Sequence, residues 1–140
     1  MVDDVLLSKV AIIERCLARV REEYLGHESK LTTDRTRQDS IVLNLQRACE
    51  AAIDLAMHAV RLRRLGLPQD ARDAFTLLEK DGIVSPDVAT HMRAMVGFRN
   101  IAVHQYRDLS MPVLRAILDD RLEDFTQFTG KLISAQLMQE

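Results

Sequence analysis

Apolar residues recur every three to four positions through most of the chain, which is the spacing of one face of an α-helix. This pattern predicts a first helix over about 3–25, and Gly26 follows as its stop. A second helix is predicted to be N-capped by Asp39 or Ser40 and to run to about Leu65. The polar stretch between the two predicts a loop.

Start and stop signals divide the second half of the chain into three further helices. A short one covers about 69–80. Ser85 and Pro86 form the N-cap and first turn of the next, and Ser110 with Pro112 repeats that signal for the last. The sequence therefore predicts an all-α fold, an up-down four-helix bundle with an extra short helix, built as a single domain over 1–140.

Composition and charge narrow the possible classes of protein. At 140 residues with 47% hydrophobic residues, the chain is long enough to form a core without disulfides. Cys16 and Cys49 stand alone in helical patterns, so we expect them to be reduced core residues. No apolar run is long enough to span a membrane and no basic secretory signal is present, so we expect a cytoplasmic protein. A net charge of −2 argues against a uniformly basic surface but leaves room for a local basic cleft.

The candidate chemistry lies in eight residues, from Arg99 through His104 to Tyr106. An Arg-x4-His spacing alone arises easily by chance, and a tyrosine two residues later makes the pattern much rarer. On an ideal helix Arg99 shares one face with Tyr106 and with five apolar residues, Val88, Met92, Met95, Ala102 and Val103. A charged arginine on such a face is costly unless it is paired or lines a wet cleft, so it needs an explanation beyond packing.

The helical position of His104 raises a geometric problem. It follows Arg99 by five residues, which places the two side chains roughly 140° apart on an ideal helix. Either the helix ends near Val103 and His104 turns back, or the motif face meets a second copy of the chain and the site is shared across a two-fold axis. Apolar Phe98 and Ile101 extend around the same helix, which favours a homodimer.

These residue types suit RNA cleavage without a metal. A histidine gains and loses a proton near neutral pH, so His104 can act as general base on a ribose 2′-hydroxyl or as acid to the leaving oxygen. Arg99 would hold the scissile phosphate, and Asn100 would orient His104 or donate to the same phosphate. Asp54 and His58, one turn apart, are predicted to form a supporting pair that faces the motif. A purely structural role, with His104 packed at an interface and Arg99 in an ion pair, remains open.

Three segments carry a resemblance to a known family: residues 48–58, Gly66-Leu67-Pro68, and the run from Phe98 to Tyr106. In these the chain resembles the HepT-like toxins of the HEPN superfamily. The resemblance implies an all-α dimer that acts as a metal-independent ribonuclease on RNA such as tRNA or mRNA, needs no cofactor, and uses Arg99 and His104 as the catalytic pair. It further implies an MntA-like minimal nucleotidyltransferase antitoxin that transfers AMP from ATP to Tyr106.

Such a modification makes physical sense, because AMP on Tyr106 would add bulk and negative charge where an RNA phosphate must enter. Two other interpretations stay open. In one, the chain is a non-catalytic partner or substrate-binding subunit of a nucleotidyltransferase, with Arg99 and His104 holding a nucleotide or the partner. In the other, it is a dimeric scaffold.

Overall fold

The computed structural model describes residues 3–138 and the side chains of 3–135, and every regular element in that range is helical. The α-helices are α1 (Asp4–Tyr24), α2 (Arg35–Leu62), α3 (Ala71–Lys80), α4 (Pro86–His104), α5 (Met111–Asp120) and α6 (Glu123–Met138). Two short 3₁₀ turns, Glu28–Lys30 and Tyr106–Asp108, lie in the connections. The predicted all-α class is confirmed.

The first two helices form the largest interface of the fold. Three polar pairs cross it, Asp3–His58, Lys9–Asp54 and Glu23–Arg37. Residue numbers rise along α1 while their partners' numbers fall along α2, so the two helices are antiparallel. Asp3 also caps α1, because its Oδ1 accepts from the amides of Val5 and Leu6.

Helices α4 and α6 complete a four-helix bundle. Tyr106, just after α4, contacts Asp39 near the start of α2, so these two helices run in opposite directions. Asp124 at the start of α6 contacts His91 of α4. Leu132, further along α6, lines the same pocket as Ile83, which precedes α4. The order α1, α2, α4, α6 therefore alternates in direction, as predicted for an up-down bundle.

The core lies between these four helices, and the short helices cover its sides. Phe75 of α3 meets Phe128 of α6 edge to face, with ring centroids 5.2 Å apart. Tyr24 of α1 is buried and donates to Asp119 of α5 at 2.6 Å. Cys16 and Cys49 are free and buried, as predicted, and burial raises the pKa of both thiols. Both are therefore packing residues.

Two helix boundaries differ from the prediction. Helix α2 begins at Arg35, because Asp34 caps it by accepting from the Arg37 amide at 3.1 Å, so the prediction of Asp39 or Ser40 as N-cap is wrong. The last predicted helix is two helices, which separate where Arg121 leaves the helical conformation. No glycine or proline marks this break in the sequence. It redirects the chain so that the buried Phe125 and Phe128 face the core.

Candidate active site

The end of α4 sets the position of the motif. Ser85 caps the helix by accepting from the Val88 amide at 3.2 Å, and Pro86 occupies its first turn, as predicted. The helix continues through His104 and stops at Gln105, where φ is −142° and ψ is 48°. Tyr106 then lies in the following 3₁₀ turn. The motif thus spans the last turns of one helix and the turn after it.

Arg99 is half-buried on the side of α4 that packs into the bundle. Four of the predicted face residues, Val88, Met92, Met95 and Ala102, are buried, whereas Val103 in the last turn is exposed and was placed wrongly. The guanidinium Nε donates to Asn100 Oδ1 at 3.0 Å. Among residues 3–135 no carboxylate forms an ion pair with it. Within this part of the chain, the Arg99 guanidinium thus has an amide oxygen but no carboxylate as its partner.

His104 is exposed, and it is the last helical residue of α4. The helix ends one residue after Val103, close to the predicted end, but His104 keeps the helical conformation and so does not turn back. His104 follows Arg99 by five helical positions, so their side chains leave α4 roughly 140° apart. On this helix geometry, one copy of the chain directs the two side chains away from each other.

Tyr106 lies beyond the helix, so its predicted place on the packed face of α4 is wrong. Its side chain is 37% exposed, and its hydroxyl donates to Asp39 Oδ1 on α2 at 2.5 Å. Burial and the hydrogen bond to the Asp39 carboxylate raise the pKa of Tyr106 to about 12, with Arg35 acting in the opposite direction. The phenol is thus held in its protonated form.

The sequence did not reveal Asp39 as the partner of Tyr106. Asp39 was assigned to the helix start, and the two residues are 67 positions apart. Asp34 is the sequence signal that could have shown this contact. A helix capped by Asp34 places Asp39 in its second turn and not at its start. Antiparallel packing of α2 and α4 then brings that turn to the end of the motif.

The predicted pair of Asp54 and His58 is wrong. The Asp54 carboxylate accepts from Lys9 Nζ at 3.0 Å, and His58 Nε2 lies 2.7 Å from Asp3 Oδ2. Lys9 lies in α1 and Asp3 is the N-cap of α1, so this side of α2 faces α1 rather than the motif helix. Asp54 therefore has no contact that supports a role beside Arg99.

A groove of about 350 Å³ runs between α4 and α5, on the side of α4 that carries Ile101. Its apolar lining comes from Met95, Phe98, Ile101, Leu109, Val113 and Ile117. At one end His91, for which the sequence offered no partner, lies 3.3 Å from Asp124 of α6 and 3.2 Å from Arg121. Ile101 and Val113 are 39% and 54% exposed, so apolar surface faces outward here.

Among residues 3–135, no group of three or more His, Cys, Asp or Glu side chains is arranged to hold a metal ion. No helix within 3–138 combines the length and the apolar character needed to cross a bilayer.

Comparison with known families places the motif in context. The family model for HepT-like ribonucleases matches residues 13–132, which include α2, α4 and the whole Arg99–Tyr106 segment. The chain belongs to the HepT-like ribonuclease family. The predicted ribonuclease class is thereby confirmed, and the helical bundle described above is the family's fold in this chain.

Individual members of the family match this chain over nearly its full length. The mRNA nuclease HepT of Shewanella oneidensis is 44% identical over 126 residues, which cover 90% of this chain and 94% of that protein. The tri-AMPylated Shewanella oneidensis HEPN toxin, solved in complex with an MNT antitoxin, matches with a TM-score of 0.90 at 41% identity, over 95% of this chain and 99% of that one. A toxin–antitoxin structure with AMP-PNP matches with the same TM-score and identity, over 94% and 99%. These similarities confirm the prediction of a HEPN ribonuclease of the toxin–antitoxin type.

Proposed function

We propose that the chain is a toxin endoribonuclease that cleaves RNA without a metal, with Arg99 and His104 as the catalytic pair. The observation that carries the proposal is half-buried Arg99, whose guanidinium has no carboxylate partner within residues 3–135. A partly desolvated positive charge without a counter-ion is a binding site for an anion. Exposed His104 at the end of the same helix supplies an imidazole, the side chain most often used as a general acid or base.

The contact between Arg99 and Asn100 supports this assignment. Asn100 Oδ1 accepts from Nε, the inner nitrogen of the guanidinium, and holds the plane of the group. Both terminal Nη groups then remain available to donate to two oxygens of one phosphate. In this proposal Asn100 is a positioning residue, Arg99 stabilises charge on the phosphate oxygens, and His104 moves the proton of the 2′-hydroxyl or of the leaving oxygen.

The first test is metal removal. RNA cleavage by the purified chain is expected to continue in EDTA at a rate within about twofold of the rate with Mg²⁺, because the proposed chemistry needs only side chains. If the 2′-hydroxyl is the nucleophile, the 5′ fragments should end in a 2′,3′-cyclic phosphate. A magnesium-dependent nuclease in the same buffer serves as the control and should stop. Cleavage that disappears in EDTA and returns with Mg²⁺ would contradict the proposed mechanism.

We also propose that the active form is a homodimer, joined through the groove between α4 and α5. Arg99 and His104 diverge on one helix, so a second copy of the motif is needed to bring an arginine and a histidine to the same phosphate. The groove supports this arrangement, because it offers exposed apolar surface beside the motif, including Ile101 and Val113. Two copies in contact here would bury that surface and align their motif helices.

Val113→Asp tests the dimer without disturbing the helix. Val113 lies in the first turn of α5, where an acidic side chain is compatible with the helix dipole. We expect the variant to sediment as a monomer and to lose at least about tenfold in cleavage rate, about 1.4 kcal/mol of activation free energy. Leu7→Asp is the matched control, because Leu7 is 49% exposed near the start of α1. A fully active monomeric variant would contradict the shared site.

Regulation by AMP transfer completes the proposal. Tyr106 is partly exposed, lies two residues after His104, and carries its hydroxyl on a turn outside the helix, where it donates to Asp39. The related Shewanella toxin is tri-AMPylated in its complex with an MNT antitoxin, which supports a minimal nucleotidyltransferase as the partner of this chain. Each AMP brings a phosphate charge and a nucleoside to the entrance used by RNA, so the modified enzyme would repel and block its substrate.

A further inference from the structure

The hydroxyl of Tyr106 already has a proton acceptor within this chain. Asp39 Oδ1 lies 2.5 Å from the Tyr106 oxygen, across the antiparallel contact of α2 with the end of α4. Asp39 does not cap α2, because Asp34 does, and it forms no ion pair with any residue in 3–135. The carboxylate therefore stands beside the one atom that must react if the tyrosine is modified.

The protonation state of Tyr106 explains why such a group is needed. Its pKa is raised to about 12 by burial and by the hydrogen bond to Asp39, compared with about 10 for an ordinary tyrosine. At neutral pH only roughly one molecule in 10⁵ would carry the phenolate spontaneously. A neutral phenol is a weak nucleophile, so the proton must leave as the new bond forms.

We propose that Asp39 is the general base that receives the Tyr106 proton during AMP transfer, which makes this residue of the toxin part of the modification chemistry. This inference rests on the proposed function of Tyr106. In the step, the phenol oxygen attacks the α-phosphorus of ATP while its proton passes to Asp39 Oδ1. The bond from the α-phosphorus to the oxygen that bridges to the β-phosphate breaks, and pyrophosphate leaves with that oxygen. Tyrosyl-AMP remains, and Asp39 releases its proton to water.

The surroundings of the pair fit the charges that develop. Arg35 lies one turn before Asp39 on α2 and is close enough to act on the Tyr106 hydroxyl, since its charge lowers the pKa of that group. It is exposed and makes no ion pair within the described side chains, so it can balance the charge of an incoming phosphate. After transfer, Asp39 and the new phosphodiester both carry negative charge, and the modified side chain should leave Asp39.

The test compares Asp39→Asn and Asp39→Glu with wild type. Asn keeps the shape and an acceptor oxygen but removes the basic carboxylate, whereas Glu restores a carboxylate. The full-length chain is incubated with its cognate nucleotidyltransferase and ATP, and the initial rate of AMP addition to Tyr106 is measured from about pH 6 to about pH 9. We expect Asp39→Asn to lose about 10²-fold near neutrality and to gain up to about tenfold per pH unit, because free phenolate must replace the base. The wild-type profile should be nearly level, and Asp39→Glu should recover part of the rate.

Asp108→Asn is the matched control, because this exposed carboxylate lies two residues from Tyr106 in the same turn. It should keep the wild-type rate and profile. An Asp39→Asn rate equal to wild type, or reduced by the same factor at every pH, would overturn the role as base and leave the proposed function standing. Wild-type protein that receives no AMP on Tyr106 would overturn the proposed regulation and this inference together.

Discussion

Replacing His104 with alanine is expected to slow RNA cleavage by about 10²–10⁴-fold, the usual contribution of a positioned general acid or base. The side chain is exposed, and within residues 3–135 no hydrogen bond or ion pair involves it, so its removal should not disturb folding. The loss should therefore appear in the rate of the chemical step, with little change in the unfolding temperature. Single-turnover cleavage of labelled RNA in EDTA measures it.

His27→Ala is the control for this substitution. His27 also follows an arginine at a similar spacing, but it lies in the loop between α1 and α2, far along the chain from the motif helix. We expect that variant to cleave at the wild-type rate. Cleavage that survives His104→Ala would remove His104 from the mechanism. A wild-type chain that cleaves no RNA would instead favour a non-catalytic subunit of a nucleotidyltransferase.

Replacing Tyr106 with phenylalanine is expected to preserve RNA cleavage but abolish its inhibition by the antitoxin. The ring keeps its packing, and only the hydroxyl and its bond to Asp39 are lost. Asp39 is exposed to water, so the cost in stability should be about 1 kcal/mol or less. The variant should cleave RNA at close to the wild-type rate and accept no AMP. Cells that express it together with the antitoxin should stop growing, whereas cells with the wild-type pair should grow.

The other tyrosine of the chain provides the matched control. Tyr24 is buried and donates to Asp119, so Tyr24→Phe removes a hydroxyl that no transferase can reach. That variant should still be modified and silenced. If Tyr106→Phe is silenced by the antitoxin and ATP as fully as wild type, neutralisation does not depend on this tyrosine. Binding of the antitoxin alone would then be the better explanation.

Helical periodicity predicted most of the fold because apolar residues mark the buried face of each long helix. It failed where that signal is missing. The first turn of α2 contains Arg35, Arg37 and Gln38, so no apolar residue marks its start in the sequence. Arg37 donates to the Glu23 carbonyl of α1, and Gln38 donates to the Leu31 carbonyl in the preceding loop. The break at Arg121 has no glycine or proline to mark it in the sequence, and the phenylalanines that follow it are buried in the core.

For the site, too, only the features that are local in the sequence could be predicted. The eight-residue motif located Arg99, His104 and Tyr106, because these residues are close in sequence and their chemistry is recognisable there. The partners of the site depend on contacts between helices. Asp39 meets Tyr106 only because α2 and α4 are antiparallel. Asp54 and His58 have the spacing of a helical pair, but each contacts another residue instead. Asp54 pairs with Lys9 of α1 and His58 with the N-cap Asp3, because α1 packs along that face of α2.

One time course tests the central claim most directly. The purified chain cleaves labelled RNA in EDTA, excess Mg²⁺ is then added with the cognate nucleotidyltransferase and ATP, and peptide mass spectrometry follows the same sample. The account predicts cleavage before the addition, arrest after it, and AMP confined to the peptide that contains Tyr106. Absence of cleavage in EDTA, or arrest with Tyr106 unmodified, would contradict it.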